Sequence, residues 1–424
     1  MHNSTHHHKR SSRLGHWLPS GRKALNAWLA HTTEVAEKKA TPFHPIIREL
    51  QELIESDPVM LMYFTQMCEQ QPSFAPPPES GDIKIRGYHQ LLRILDHVLT
   101  TAPEFSTDGQ VGCPINAVLD FPMITPAGLA AFLSPKLNRV LKKVLAAWAQ
   151  YLDSPASLYV LNETTTGWLC PAALKAINME EHVHDPKAPF YGFRSWNDFF
   201  IRRFRPGARP VAGPHNHKVI VNACESTPFA IARGVKAQDA FWIKSQPYSL
   251  KQMLDGHFVD EFTGGTVYQA FLSAENYHHW HSPVSGVIKM IHHVEGAYYA
   301  ECASEGFDPL GPNNSQGYIA HVNTRALIFI EADAPAIGLL CFVAVGMVEV
   351  SSCVVGVKEG QQVKKGKEIG HFQFGGSTHC LVFQRGAIAE FALQAIPQGE
   401  NGANSPIVKV NSLLAIARES GPSV

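Results

Sequence analysis

At 424 residues, with 45% hydrophobic and 17% charged side chains, the chain exceeds one typical core and reads as roughly two to three soluble globular units. Its 36 basic and 37 acidic residues nearly cancel, which excludes electrostatic capture of nucleic acid or of an anionic membrane as its main activity. Eight cysteines without a Cys-x-x-Cys pair fit neither a zinc ribbon nor a dense disulfide framework; they are read as reduced thiols of a cytoplasmic protein whose partners are small molecules.

Residues 1–22 are polar, basic and aperiodic, the composition of a disordered N-terminus. Lys9, Arg10, Arg13 and Arg22 precede the first acidic residue, Glu34, a weak likeness to a mitochondrial transit peptide that His6 to His8 and Pro19 spoil. A helical domain is expected over 23–185. Its stripes are Ile46, Ile47, Leu50, Leu53 and Ile54, then Leu91, Leu92, Leu95, Val98 and Leu99, then Leu137, Val140, Leu141, Val144, Leu145, Trp148 and Leu152. Gln71 to Pro78 is a proline-rich loop, and His182 to Arg194, with Pro186, Pro189 and Gly192, is the domain boundary.

From Lys218 onward the runs Lys218 to Val221, Val267 to Leu272, Val287 to His292, Leu327 to Ile330 and Leu339 to Val350 are β-like and separated by glycine turns. Short helices are expected only at Gln246 to Leu254 and Ser412 to Ala417. The longest apolar candidate, Ala336 to Val345, falls short of the roughly 18 to 20 residues a membrane span needs and is read as a buried strand pair, with no stable membrane insertion. The fold class is therefore α+β, a helical N-terminal domain followed by a mainly β domain over 190–424.

Two stretches carry candidate chemistry. Val354 to Phe374 alternates like a tight β-hairpin and delivers Phe374-Gly-Gly-Ser-Thr-His-Cys380, where two glycines leave the Gly376 carbonyl open to the Ser377 hydroxyl. The plain alternative is a strand-end turn. Tyr277-His-His-Trp-His-Ser-Pro283 places three histidines within four residues. They are structural, or ligands of a zinc ion with His371 or His379, or acid–base groups working beside Ser377.

Four segments occur in one order: Phe193 to Val211 (FRSWNDFFIRRFRPGARPV), Lys244 to Leu250 (KSQPYSL), Tyr-His-x-x-His-x-Pro at 277–283, and Gly376-Ser377-Thr378. In that order and at about those distances they resemble the phosphatidylserine decarboxylase family over residues 190–424. The helical N-terminal part resembles the family's soluble fungal branch, which decarboxylates free aromatic amino acids, best known for L-tryptophan.

The resemblance implies self-cleavage between Gly376 and Ser377. Serine attacks the preceding carbonyl, the amide becomes an ester, and β-elimination then hydrolysis leave a covalent pyruvoyl group, so that the enzyme is its own two chains, the second 48 residues long. No pyridoxal phosphate and no metal is implied, and the substrate-binding residues stay unassigned. His281 matches the histidine that activates the serine, and His278 the proton donor for decarboxylation. The family's orienting carboxylate is an aspartate in Pro-x-Asp-Gly; here Asn222-Ala-Cys-Glu-Ser226 offers Glu225, whose alternative is a strand-end surface residue.

Overall fold

A computed structural model describes residues 18–19, 22–39, 41–70, 85–107, 110–243, 248–273, 275–302, 304, 313–349, 352–374 and 377–419. The loop expected at Gln71 to Pro78 and nearly all of the N-terminal 22 residues lie outside these.

Nine helices come first among the described residues: α1 Arg22–Lys38, α2 Pro45–Ser56, α3 Pro58–Glu69, α4 Tyr88–Val98, α5 Pro114–Met123, α6 Pro126–Phe132, α7 Pro135–Asp153, α8 Pro171–Ala176 and α9 Trp196–Phe200. Six of them open on proline, whose fixed φ suits the first helical position and whose missing N–H is no loss there. The expected stripes are the buried faces of α2, α4 and α7. Helix α7 buries seven apolar side chains from Leu137 to Leu152, with Lys142 and Lys143 outside.

Strands follow: β1 Val219–Val221, β2 Thr227–Arg233, β3 Thr266–Leu272, β4 His279–His281, β5 Gly286–Val294, β6 Arg325–Ala332, β7 Leu339–Gly346, β8 Ser352–Val355, β9 Gln362–Val363, β10 Glu368–Gln373, β11 Ser377–Phe383, β12 Ile388–Phe391 and β13 Leu413–Ala417. Short helices α10 Leu250–Met253, α11 Val259–Phe262 and α12 Gln316–Val322 interrupt them. The large antiparallel sheet runs β2-β3-β11-β7-β6-β5-β9; β4-β10-β8 and β1-β13-β12 form two smaller sheets. Strands β3, β7 and β11 are buried at every position, β7 as an unbroken apolar run and β3 and β11 with Gln269, Thr378 and His379 buried among apolar neighbours. One hydrophobic cluster extends from Leu29 through the helices into the strands. Among the described residues no helix is long and apolar enough to cross a membrane.

Three local expectations are corrected. Ser412 to Ala417 is not a helix but contains β13, paired with β1 and β12; a run this short cannot repay helix nucleation by itself, and two waiting strand edges bond its backbone. Ala336 to Val345 contains one strand rather than a pair. Val354 to Phe374 is no tight hairpin: β8 pairs with β10, while β9 between them leaves to pair with β5 at the edge of the large sheet.

A buried carboxylate fastens the helices to the sheet. Glu349, three residues beyond β7, accepts the Asn116 N–H in the first turn of α5 at 2.8 Å. Burial pushes its carboxyl up to about 7 against the backbone N–H groups of α5, with Tyr299 and Cys113 facing it. A carboxyl raised in the folded state stabilises fully below its unfolded pKa and loses that contribution as pH climbs through 7. Glu349→Gln should therefore gain melting temperature relative to the wild type between pH 5 and pH 8, by the equivalent of about 2 kcal/mol; a difference independent of pH contradicts this reading.

Candidate active site

Ser377 opens β11, the third strand of the large sheet, directly opposite Leu272 of β3 and Gly346 of β7. It is wholly buried, and its Oγ has no hydrogen-bond partner among the described residues. Gly376, on the other side of the expected scissile bond, lies outside them. The flanking backbone is strained: Phe374 has φ 30° and Val348, two residues past Gly346, has φ 51°. Such conformations cost on the order of 1–3 kcal/mol each and persist only where packing enforces them. The enforcing contacts are aromatic, with the Phe374 ring 6.2 Å from Trp148 and 6.5 Å from both Trp196 and Phe200.

Phe200 also links this segment to the histidine motif. Its ring stacks on His278 at 4.1 Å, and Phe372 donates its N–H to the His278 carbonyl at 3.0 Å. Full burial drives the His278 pKa well below 6.5, and the neighbouring Arg202 charge pushes the same way. His278 is thus a neutral imidazole held beside the strand that leads into Ser377.

His281 and Glu225 are not brought together. His281 Nδ1 lies 2.8 Å from the Gly366 carbonyl and Nε2 lies 3.0 Å from the Tyr277 hydroxyl. A carbonyl only accepts, so Nδ1 carries the proton and Nε2 the lone pair. The orienting place expected for Glu225 is thus filled by Gly366, and no hydrogen bond joins His281 to Ser377 among the described residues. Glu225 is instead gripped by Arg209, at 2.7 Å from Nη2 and 3.1–3.2 Å from Nε, and accepts the Val410 N–H at 2.8 Å. It is a buried structural ion pair, not the alternative surface glutamate. Glu225→Ala should cost about 1–3 kcal/mol, because it leaves the buried Val410 N–H without its acceptor and takes one of two carboxylates from Arg209, which keeps Glu181 at 2.8 Å; denaturant unfolding measures it, and an unchanged stability contradicts the assignment.

The other motifs converge as well. Tyr248 of the 244–250 motif donates to Gln269 Oε1 at 2.6 Å, and Gln269 Nε2 donates to Thr378 Oγ1 at 3.1 Å, one residue from Ser377. His379 shares the Ser377 face of β11, between the rings of Tyr268 and Phe342, apart from His371, which faces His279 across β10 and β4. Sequence reasoning missed the roles of Arg209 and Tyr277, although both sit inside the motifs. A cavity of about 290 Å³ opens beside them, lined by Phe204, Phe271, Tyr277, Arg209 and Glu225 and by Ser273, the residue after the Leu272 partner of Ser377.

Comparison with known proteins gives the family. Two family models, both described as phosphatidylserine decarboxylase, match residues 44–177 and 196–402. The chain is 39% identical over 352 residues to the decarboxylase iboD of Amanita muscaria, covering 76% of this chain and 99% of that one. It is 34% identical over 396 residues to the L-tryptophan decarboxylase of Psilocybe cubensis, covering 87% and 85%. It is 30% identical over 250 residues to phosphatidylserine decarboxylase proenzyme 3 of Schizosaccharomyces pombe, covering 59% of this chain and 24% of that one. With four motifs converging on one strand end and both parts of the chain matched, this decarboxylase belongs to the phosphatidylserine decarboxylase family.

Proposed function

We propose that the chain is a pyruvoyl-dependent decarboxylase of a free aromatic L-amino acid, with L-tryptophan, giving tryptamine and CO2, as its substrate, and that it arises by self-cleavage at Gly376–Ser377. The observation that carries this reading is Ser377 itself: a buried hydroxyl without a hydrogen-bond partner among the described residues, following a strained Phe374 and, in sequence, two glycines. An unengaged serine oxygen beside an unhindered carbonyl suits attack on that carbonyl and departure of the oxygen by β-elimination. The residues fit the prosthetic group the family uses, because it is made from Ser377 and needs no separate binding loop. Once formed, it supplies an electron-withdrawing ketone that holds the substrate amine and takes up charge as CO2 leaves.

The chain's own groups do the rest. His281, with its Nδ1 proton fixed on Gly366, offers the Nε2 lone pair that serine deprotonation requires, with Tyr277 the group in contact with it. His278, kept neutral by burial, can take the proton that the substrate ammonium sheds and return it to the carbon that loses CO2. The rings of Phe204, Phe271 and Tyr277 among the otherwise largely polar lining of the neighbouring cavity support an aromatic side chain in the substrate. A cytosolic location belongs to the same reading.

Phosphatidylserine is the second reading, favoured by the adjacent exposed side chains of Trp242 and Ile243, which a lipid substrate could contact. Release of CO2 from L-tryptophan without added pyridoxal phosphate, measured beside release from phosphatidylserine vesicles, separates the two. Turnover of vesicles but not of tryptophan reverses the order, and a chain that stays intact and turns over neither is a non-catalytic domain.

A further inference from the structure

His279, the middle histidine of the cluster, has no part in the scheme above. Its ring is fully buried. Nε2 lies 2.7 Å from the Ile201 carbonyl, so Nε2 carries a proton, and in the neutral ring Nδ1 holds the lone pair. That lone pair meets Oε1 of Glu368 at 3.0 Å. The approach lacks hydrogen-bond geometry, for Nδ1 has no hydrogen-bond partner among the described residues. A neutral Nδ1 and a part-buried carboxylate oxygen this close, the oxygen also held by Arg203, leave room for a cation between them, a proton or a metal ion. His371 stands directly across from His279 in the β10–β4 pairing, with ring centroids 5.1 Å apart. One donor atom from each of His279, Glu368 and His371 lies within 4.8 Å of the others.

We propose that His279, Glu368 and His371 bind one divalent transition-metal ion of the Zn²⁺ type, with water completing the shell. Two imidazoles and a carboxylate are a common zinc donor set; metal–donor lengths of about 2.0–2.2 Å place tetrahedral donors about 3.4 Å apart, so small side-chain rotations close the site. The bond from His279 Nε2–H to Ile201 is the outer hydrogen bond that metal-bound histidines make, fixing the tautomer and aiming Nδ1 inward. Arg203 now donates to Glu368 at 2.9 Å, but its side chain is 63% exposed, so the ion displaces the guanidinium instead of adding to it. The ion clamps β4 to β10 between His278 and His281 and takes no part in the chemistry of Ser377.

The test is a Co²⁺ titration of the full chain after chelator treatment, read by the visible absorption of bound Co²⁺ and by elemental analysis. His371→Ala and the isosteric Glu368→Gln should each weaken one equivalent of Co²⁺ at least tenfold. His292→Ala, which breaks a second, part-exposed group of Asp255, His257 and His292, and a variant lacking His6, His7 and His8 should retain that equivalent. Equal binding by wild type, His371→Ala and Glu368→Gln overturns the proposal, as does a wild-type chain that holds no Co²⁺ at micromolar concentration, since a proton on His279 then fills the gap. Chain cleavage scored on the same samples keeps this outcome separate from the fate of the Ser377 reading.

Discussion

Replacing Ser377 with alanine is expected to yield one intact 424-residue chain with no decarboxylase activity. The wild type should run as two chains on a denaturing gel. The substitution removes a single oxygen, and that oxygen lacks a hydrogen-bond partner among the described residues, so its loss leaves no buried donor or acceptor unsatisfied and the fold should persist. An unchanged melting temperature would show that the missing function is chemical. Without the hydroxyl there is neither a nucleophile for the Gly376 carbonyl nor a leaving oxygen for elimination, and so no ketone. The expected loss is complete, not partial. A Ser377→Ala chain that still splits at this position ends the account.

His278→Gln should separate the two stages. It is expected to split like the wild type yet decarboxylate about 10²–10⁴-fold more slowly, the usual contribution of a positioned acid–base group. The loss should fall on kcat more than on KM. Glutamine roughly keeps the volume stacked on Phe200 at 4.1 Å but cannot accept and return a proton at neutral pH. His281→Gln should do the reverse, slowing the split while leaving any processed molecules competent. If His278→Gln stays unsplit, His278 acts in cleavage; if it turns over normally, its buried ring is packing alone.

The helical part was readable because α2, α4 and α7 are amphipathic and their apolar periods match the helix repeat. Strands β3, β6 and β7 were readable as largely apolar runs bounded by turns. Ser412 to Ala417 was not, because a short apolar segment carries no period that separates strand from helix, and only its partners β1 and β12 decide. At the site, order and spacing placed Ser377 and His278 near one another, linked through Phe374 and Phe200. The partner of His281 was illegible for a physical reason: a backbone carbonyl, that of Gly366, fills the orienting place, and peptide carbonyls leave no mark in a sequence. Glu225 was drawn away by Arg209, sixteen residues earlier, through an ion pair that only the fold creates.

Intact-mass spectrometry of freshly purified, active protein tests the central claim most directly. It should show two polypeptides, the smaller spanning 377–424 and beginning with a pyruvoyl group in place of Ser377. A single species at the full 46.7 kDa, carrying an unmodified serine while releasing CO2 from substrate, would contradict it.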